Sequence, residues 1–502
     1  MVVSKTELAV GNDVCRKQGN ILGVILGIVC STVTFFALLL SFSAMWYIRH
    51  YGDTGFDSVL FTLLSNMQGV DGGLLASFLK ESLIPSVLCG GLLIFLIYFI
   101  QIEHWCKNVI ALVIAFIFFT VAGNKVNIFG YINKLMHQST IYEEYFVEPD
   151  KDNIVFPEEK RNLIYIFLES METTYLASAE GGALPENIIS ELSRLAEENI
   201  CFSHNEDVGG FLTPSGTGWT VAGMVAQSSG IPLKGSSGVL ENNEYGKDVF
   251  MPGIVALSDI LHQNGYTQAV MMGSDSSYAN RDVYYKGHKT DYIYDITTAK
   301  KDNVVDDDYY VWWGMEDRYV YEYAKDKLGE LAKSGEPFSF TLLTADTHFP
   351  DGYNCELCRD IYEEPYDNVI SCASRQVENF INWITKQDFY ENTTIVICGD
   401  HLSMDYQYIR KNVSDNYDRR VYNCFINSSV AGKNYNNRTF TSLDLFPTTL
   451  AAMGCEIKGN RLGLGTNLFS DLPTLAEKMG YEEFDRELLF SSNYYIKKFM
   501  IN

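Results

Sequence analysis

Two stretches, NLIYIFLE at residues 162–169 and TTIVICGDH at residues 393–401, decide the fold. Each is a continuous apolar run, rich in β-branched and aromatic side chains, that ends abruptly in acidic or imidazole groups. A strand with one wet face alternates apolar and polar residues. An unbroken run of this length reads instead as a strand covered on both faces, as in a parallel sheet. TQAVMMG (267–273) and FSFTLLTAD (338–346) have the same character. Between them lie longer segments with helical spacing, ENIISELSRLAEEN (186–199) and NVISCASRQVENFINWITKQ (368–387). The alternation predicts an α/β domain with a mostly parallel central sheet, from about residue 161 to 502.

In such sheets ligands gather at the carboxyl ends of the strands. The first run ends in Glu169-Ser170, the second in Gly273-Ser274-Asp275 with Arg281 soon after, the third in Asp346-Thr347-His348 and the fourth in Gly399-Asp400-His401. Glu169, Asp400 and His401 form an oxygen-and-imidazole set of the kind that holds divalent zinc or manganese. The alternative is that Asp400 caps the following segment and His401 is a surface side chain. A further stretch, FLTPSGTGWTVAGMVAQSSGIPL (211–233), leads a glycine-rich, hydroxyl-bearing turn into an apolar helical run. Free amides at a helix start favour negative charge, so Ser215, Thr217 and Thr220 are candidates for a nucleophile or a phosphate contact. Plain helix capping is the alternative.

The N-terminal quarter is different. Residues 18–48 carry no charge, and 83–102 and 108–123 are likewise uncharged and apolar. About 20 such residues cross a bilayer, so residues 1–125 read as an anchor with spans near 21–48, 83–102 and 108–123. Residues 56–83 have helical apolar spacing interrupted at Gly72 and Gly73 and read as an interfacial segment, with a broken fourth span as the alternative. Residues 126–160, polar and acidic in their second half, read as a linker. Lys5, Arg16, Lys17 and Lys107 place the N-terminus and the turn between the last two spans in the cytoplasm, which puts the large domain outside.

With 63 acidic against 38 basic residues the formal charge is −25, which argues against nucleic acid as a partner. Three of the eleven cysteines, Cys355, Cys358 and Cys372, cluster in sequence. Outside a cell that suggests a disulfide; a zinc knuckle is the second reading, although a further ligand pair is not evident nearby.

In order along the chain, NLIYIFLESMETTY, GTGWTVAGMVAQSSGIPL, LLTADTHFPDG and IVICGDHLSM resemble the phosphoglycerol transferases of the alkaline-phosphatase/sulfatase superfamily. That group includes the lipoteichoic acid synthases and the enzymes that decorate periplasmic glucans, and the likeness is greater to the glucan-modifying branch. The resemblance covers residues 160–470 and extends to the membrane anchor. It implies a sulfatase-like domain in a bacterial cell membrane, facing outward, with one divalent metal, manganese ahead of zinc, held by Glu169, Thr217, Asp400 and His401. It makes Thr217 the nucleophile, with Ser215 and Thr220 as bystanders or caps. Arg281 becomes a substrate-binding residue and His348 a catalytic and substrate-side histidine. Phosphatidylglycerol is the implied donor and a glycan or glycolipid the acceptor. Ala279 and Met272 stand where the lipoteichoic acid synthases have tryptophan and histidine, which favours single transfers over polymerisation. The rivals are a phosphoethanolamine transferase, a sulfatase and a membrane scaffold with a relic site. For the sulfatase, residues 211–220 lack the required Cys/Ser-x-Pro-x-Arg.

Overall fold

The computed structural model describes residues 5–51, 72–234, 250–432 and 435–501. The chain forms two compact units, one from the N-terminal helices to Tyr131 and one from Ile132 onward.

Within the first unit, α1 (Lys5–Tyr51), α2 (Ile84–Phe99) and α3 (His104–Lys125) are the principal helices. Among the described residues, three segments are long and apolar enough to cross a membrane: Gly23–His50, Leu75–Ile97 and His104–Lys125. Leu88, Phe95, Phe99 and Phe116 point outward, as lipid-facing side chains do. The inner faces carry small and hydroxyl residues instead. Thr34 Oγ1 donates to the Ala111 carbonyl at 3.0 Å and Ser41 Oγ to that of Phe118 at 2.6 Å, which lets α1 and α3 pack closely. The expected interfacial segment falls partly on residues 52–71, outside the described residues. Its remainder, Gly72–Leu83, is helical and runs without a break into α2.

The second unit is built on a seven-stranded sheet. In chain order its strands are β1 (Asn162–Leu168), β2 (Gly210–Phe211), β3 (Thr267–Met272), β4 (Tyr292–Tyr294), β5 (Phe338–Leu343), β6 (Thr393–Gly399) and β7 (Val421–Ile426). Their spatial order is β2-β7-β6-β1-β5-β3-β4. The pairs from β6 to β4 are parallel, and β7 and β2 add antiparallel strands at one edge. The mostly parallel sheet is therefore as expected.

Every residue of β1 and β6 is buried because both faces are covered. Leu163, Tyr165 and Phe167 pack with α5 (Thr220–Ser229) and with helices Leu257–Gln263 and Leu445–Ala452. Ile164, Ile166 and Leu168 face the other way, into a core with α4 (Ser190–Glu198) and the helices Asp317–Ala332 and Pro365–Ile384. The period-two alternation of side chains across a strand thus feeds two separate cores.

One expectation changes. The stretch expected as a linker is in part built structure. Ile141 and Tyr142 are buried in the core, and Ile154–Val155 pairs antiparallel with Glu456–Ile457. Strand β7, VYNCFI, which lies between β2 and β6, was hidden in sequence by its central Asn423. That amide is buried and behaves like a backbone unit, accepting from Phe202 N at 3.0 Å and donating to Phe202 O at 2.8 Å.

Candidate metal centre and active site

The register of the sheet builds the site. Leu168 pairs with Gly399, so Glu169 and Asp400 leave adjacent parallel strands at the same level. The Asp400 N–H still bonds to the Leu168 carbonyl at 3.1 Å, and Ser170 then turns sharply, with φ of 54°. His401 completes a buried trio whose ligand atoms lie within 4.8 Å of one another. Asp400 and His401, which could not point the same way from a regular strand, converge because the chain bends just past its end.

Hydrogen bonds fix each ligand atom. Asp400 Oδ1 accepts from the backbone N–H groups of Ser170 and His401, both at 2.8 Å. Its other oxygen, Oδ2, is buried with no hydrogen-bond partner although it lies 3.3 Å from His401 Nε2. His401 Nδ1 donates to the Leu402 carbonyl at 2.7 Å, so Nε2 carries a lone pair in the neutral ring. Nε2 and Oδ2 therefore face each other as two acceptors, and Glu169 Oε1 is a third, 3.5 Å from Nε2. A cation is what such a set lacks. Electrostatics agrees: burial, then the Glu169 charge, pushes Asp400 up to about 8. Burial works to lower the His401 value, but the Asp400 and Glu169 carboxylates outweigh it and raise it. Burial opposes ionisation of Glu169 too, yet His348 and His401 hold it below the usual carboxylate range. The trio fits a divalent metal.

Two hydroxyls reach this centre: Ser170 Oγ donates to Glu169 Oε1 at 2.8 Å, and the second is that of Thr220. Its Oγ1 lies 3.2 Å from Glu169 Oε2 and 3.3 Å from His401 Nε2, at the first turn of α5. That helix is clamped to the strand end. Gln227 donates to the Gly399 and Asp400 carbonyls at 3.0 and 3.2 Å and accepts from Tyr165 at 2.9 Å. Gly223 is required for this approach, because a Cβ there would lie 2.2 Å from the Asp400 carbonyl oxygen.

Thr217 is the residue expected as ligand and nucleophile. It is fully buried, and both its N–H and its hydroxyl bond back to the Pro214 carbonyl, at 3.0 and 2.7 Å. The turn that carries it is tight, with Gly216 at φ of 83°. Ser215 is tied through its backbone to Asp485, at 2.6 Å. Thr220, expected as a bystander or cap, bonds to Glu169 and His401. Nothing in the spacing of the three hydroxyls distinguished them.

Arg281 is buried and forms no ion pair among the described residues. Its Nε and Nη2 are held by the Tyr278 carbonyl (3.1 Å), Ser274 Oγ (2.9 Å) and the Asp275 carbonyl (2.8 Å). Burial lowers its value, while Tyr278 and Glu169 raise it. A buried guanidinium without a carboxylate partner suits an anion. His348 packs against Trp313 and Phe349, with ring centroids 4.4 and 4.7 Å apart. Its Nδ1 lies 2.7 Å from the Phe349 carbonyl, which leaves Nε2 as the free nitrogen, and burial holds the ring below the ordinary histidine range. Glu169, His401 and Arg281 all act on the His348 charge, so the four belong to one electrostatic site. Sequence reasoning missed Trp313, whose indole Nε1 is buried without a partner. It also missed Thr344 and Thr347, which bond the Glu169 backbone at 3.0 and 2.6 Å.

A doubly covered, mostly parallel sheet with an acidic and imidazole trio at its carboxyl edge defines a protein of the alkaline-phosphatase/sulfatase class. The chain belongs to the sulfatase family, whose model, described as Sulfatase, matches residues 161–455. Among characterised relatives, Phosphoglycerol transferase I of Escherichia coli (strain K12) is 34% identical over 285 residues, which is 55% of this chain and 35% of that protein. Its Shigella flexneri counterpart matches equally. The matched region thus spans about a third of the length of these relatives. The lipoteichoic acid synthase LtaP from Listeria monocytogenes shares the fold, with a TM-score of 0.50, 19% identity and coverage of 66% of this chain and 80% of that one. So does the integral membrane protein lipooligosaccharide phosphoethanolamine transferase A from Neisseria meningitidis, with a TM-score of 0.50, 12% identity and coverage of 85% and 84%.

Proposed function

We propose that this protein is a membrane-anchored phosphoglycerol transferase that moves phosphoglycerol from phosphatidylglycerol to a glycan or glycolipid hydroxyl outside the membrane. The observation that carries the reading is the Thr220 hydroxyl set against Glu169 and His401 at a helix N-terminus. The likeness to Phosphoglycerol transferase I supports the choice of donor. The three apolar helices support a multi-pass anchor, and the basic residues near the N-terminus and at Lys107 support an outward-facing domain.

Glu169, Asp400 and His401 would hold one divalent ion, manganese ahead of zinc because oxygen donors predominate. When bound, it supplies Lewis-acid polarisation of a phosphoryl oxygen and eases loss of the hydroxyl proton. Thr220 Oγ1 attacks the phosphorus of the donor. The Thr220 O–P bond forms, the bond from phosphorus to the diacylglycerol oxygen breaks, and a proton ends on that oxygen. Arg281 binds a non-bridging oxygen of the phosphoryl group. The N-terminus of α5 favours the same negative charge. In the second half an acceptor hydroxyl attacks the phosphothreonine ester. The bond from the acceptor oxygen to phosphorus forms, the bond from phosphorus to Thr220 Oγ1 breaks, and the acceptor's proton, taken by His348 Nε2, is replaced on Thr220 Oγ1 to regenerate the hydroxyl. Neutral His348 is suited to this, since burial keeps it unprotonated near pH 7.

The test is donor turnover by the purified full-length protein in liposomes containing headgroup-labelled phosphatidylglycerol or phosphatidylethanolamine, with manganese, zinc or chelator. Metal-dependent diacylglycerol release from phosphatidylglycerol alone is the expected result. Release from phosphatidylethanolamine alone would move the protein to the phosphoethanolamine branch. Turnover of neither donor, with acceptor glycans present, would overturn the reading.

A further inference from the structure

The loop that follows β5 carries His348 and then runs through Cys355 and Cys358 before entering the helix Pro365–Ile384, which bears Cys372. The three sulfurs converge. Cys355 Sγ lies 3.6 Å from Cys358 Sγ and 3.8 Å from Cys372 Sγ, and all three fall within 4.8 Å of one another. We propose that Cys355, Cys358 and Cys372 form a thiolate site for a zinc-class divalent ion, distinct from the trio at Glu169, Asp400 and His401, which staples the His348 loop to the helix behind it.

The spacing is the first argument. Tetrahedral zinc with Zn–S bonds of about 2.3 Å sets its sulfurs ~3.8 Å apart. A disulfide needs about 2.05 Å and, among three sulfurs, always leaves one unpaired. None of the described cysteines is in a disulfide.

The second argument is the loop's backbone. Cys355-Glu-Leu-Cys358 folds into a turn closed by Cys358 N–H to the Cys355 carbonyl at 3.0 Å. The turn sets the Cys355 and Cys358 sulfurs 3.6 Å apart on one side of the loop.

The third argument is the helix face. Asn368, Cys372 and Gln376 recur at i, i+4 spacing and are all buried toward the loop. Asn368 Oδ1 accepts from the Ile361 and Tyr362 N–H groups at 2.8 and 2.9 Å, and Gln376 Nε2 donates to Cys372 Sγ at 3.5 Å. Three thiolates around a divalent ion leave one net negative charge. Arg375, which acts on the Cys372 charge and has its Nη2 buried without a partner, offsets it. No fourth His, Cys, Asp or Glu joins the cluster among the described residues, so a water molecule completes the tetrahedron beside the half-buried Cys358.

The experiment is cobalt substitution of the purified full-length protein under reducing, anaerobic conditions. The expected result is a near-ultraviolet thiolate-to-cobalt charge-transfer band with tetrahedral visible bands, at one equivalent. The band persists in a Glu169→Gln/Asp400→Asn variant, which lacks the other centre, and disappears in Cys358→Ser. Cys358 is the least buried of the three, so this variant spares the core. Absence of the band from the reduced wild-type protein would overturn the proposal. So would a band unaffected by Cys358→Ser, or native protein purified metal-free with two of the three sulfurs joined in a disulfide by peptide mapping.

Discussion

Asp317 and Asp346 each accept the other's backbone N–H: Asp346 N donates to Asp317 Oδ2 at 3.0 Å, and Asp317 N donates to Asp346 Oδ1 at 3.2 Å. Asp317 Oδ1 also takes the Ala345 N–H, at 2.7 Å. The exchange fastens the start of helix Asp317–Ala332 to the loop that carries His348, two residues on from Asp346. Two carboxylates meeting in a buried place are costly to ionise together. Burial pushes Asp317 up to about 7, and burial with the Asp317 charge raises Asp346 well above its usual range.

Stability should follow pH accordingly. A carboxyl whose folded value is raised keeps its proton in the folded state where the unfolded chain has already lost it, so folding is favoured at the acid end. The contribution of Asp317 is full below about pH 4, declines as pH rises toward 7 and is flat beyond. Asp346→Asn keeps Oδ1 as an acceptor and replaces the unpartnered Oδ2 by a donor. It should stabilise the protein by ~1 kcal/mol at pH 8 and flatten the slope. Urea midpoints at pH 5 and 8 test this, and a loss at pH 8 would show that Oδ2 has a partner in solution.

The two threonines should separate cleanly. Thr220→Ala is expected to lower donor turnover by ~10³-fold or more, as removal of a nucleophile does, while the fold is retained. Thr217→Ala should cost about 1–2 kcal/mol, through loss of the bond to Pro214, and leave most of the activity. Initial rates beside denaturation curves make the comparison, and the reverse pattern would restore Thr217 as the nucleophile.

Gly223→Ala tests the docking of α5. The added Cβ meets a backbone carbonyl, which cannot swing aside, so the helix must lift from Asp400. Destabilisation of about 3 kcal/mol is expected, with weaker metal binding because Thr220 and Asp400 no longer share one frame. Calorimetric metal titration alongside thermal unfolding measures both, and an unchanged metal affinity would mean that the helix position does not set the centre.

Glu172 is completely buried and paired with Arg419, whose Nε lies 2.9 Å away, and it also accepts the Ser403 N–H at 2.8 Å. Ser403 follows His401 by two residues, so this pair holds the loop leaving the metal trio. Arg419→Met should cost ~3–5 kcal/mol, because it strands a buried carboxylate. Replacing both partners by Glu172→Gln/Arg419→Met should recover part of that loss. A double-mutant cycle in urea measures the coupling, and additive losses would show that the two side chains act independently.

Much of this was legible along the chain. Continuous apolar runs have one structural solution, a strand covered on both faces, and the residues that end such runs lie at the edge where ligands bind. Glu169, Asp400 and His401 were found that way, and the structure brings them together. The strand at Val421–Ile426 was not found, because Asn423 interrupts its apolar pattern and is reconciled to burial by Phe202, 221 residues away.

The sequence by itself determined the two parts of the protein, the parallel α/β sheet and the strand ends that carry the chemistry, because side-chain periodicity and apolar run length act locally. Only the tertiary structure decided which hydroxyl meets the trio. Three candidates within six residues have equivalent local chemistry. What separates them is the turn through Gly216, which aims Thr217 back at Pro214, and the approach of Gly223 to Asp400, which sets Thr220 beside Glu169. The same holds for Cys372, which lies 17 residues from Cys355 and reaches it only because helix Pro365–Ile384 packs behind the loop. Contacts of that kind depend on how distant elements close against one another, which no local pattern encodes.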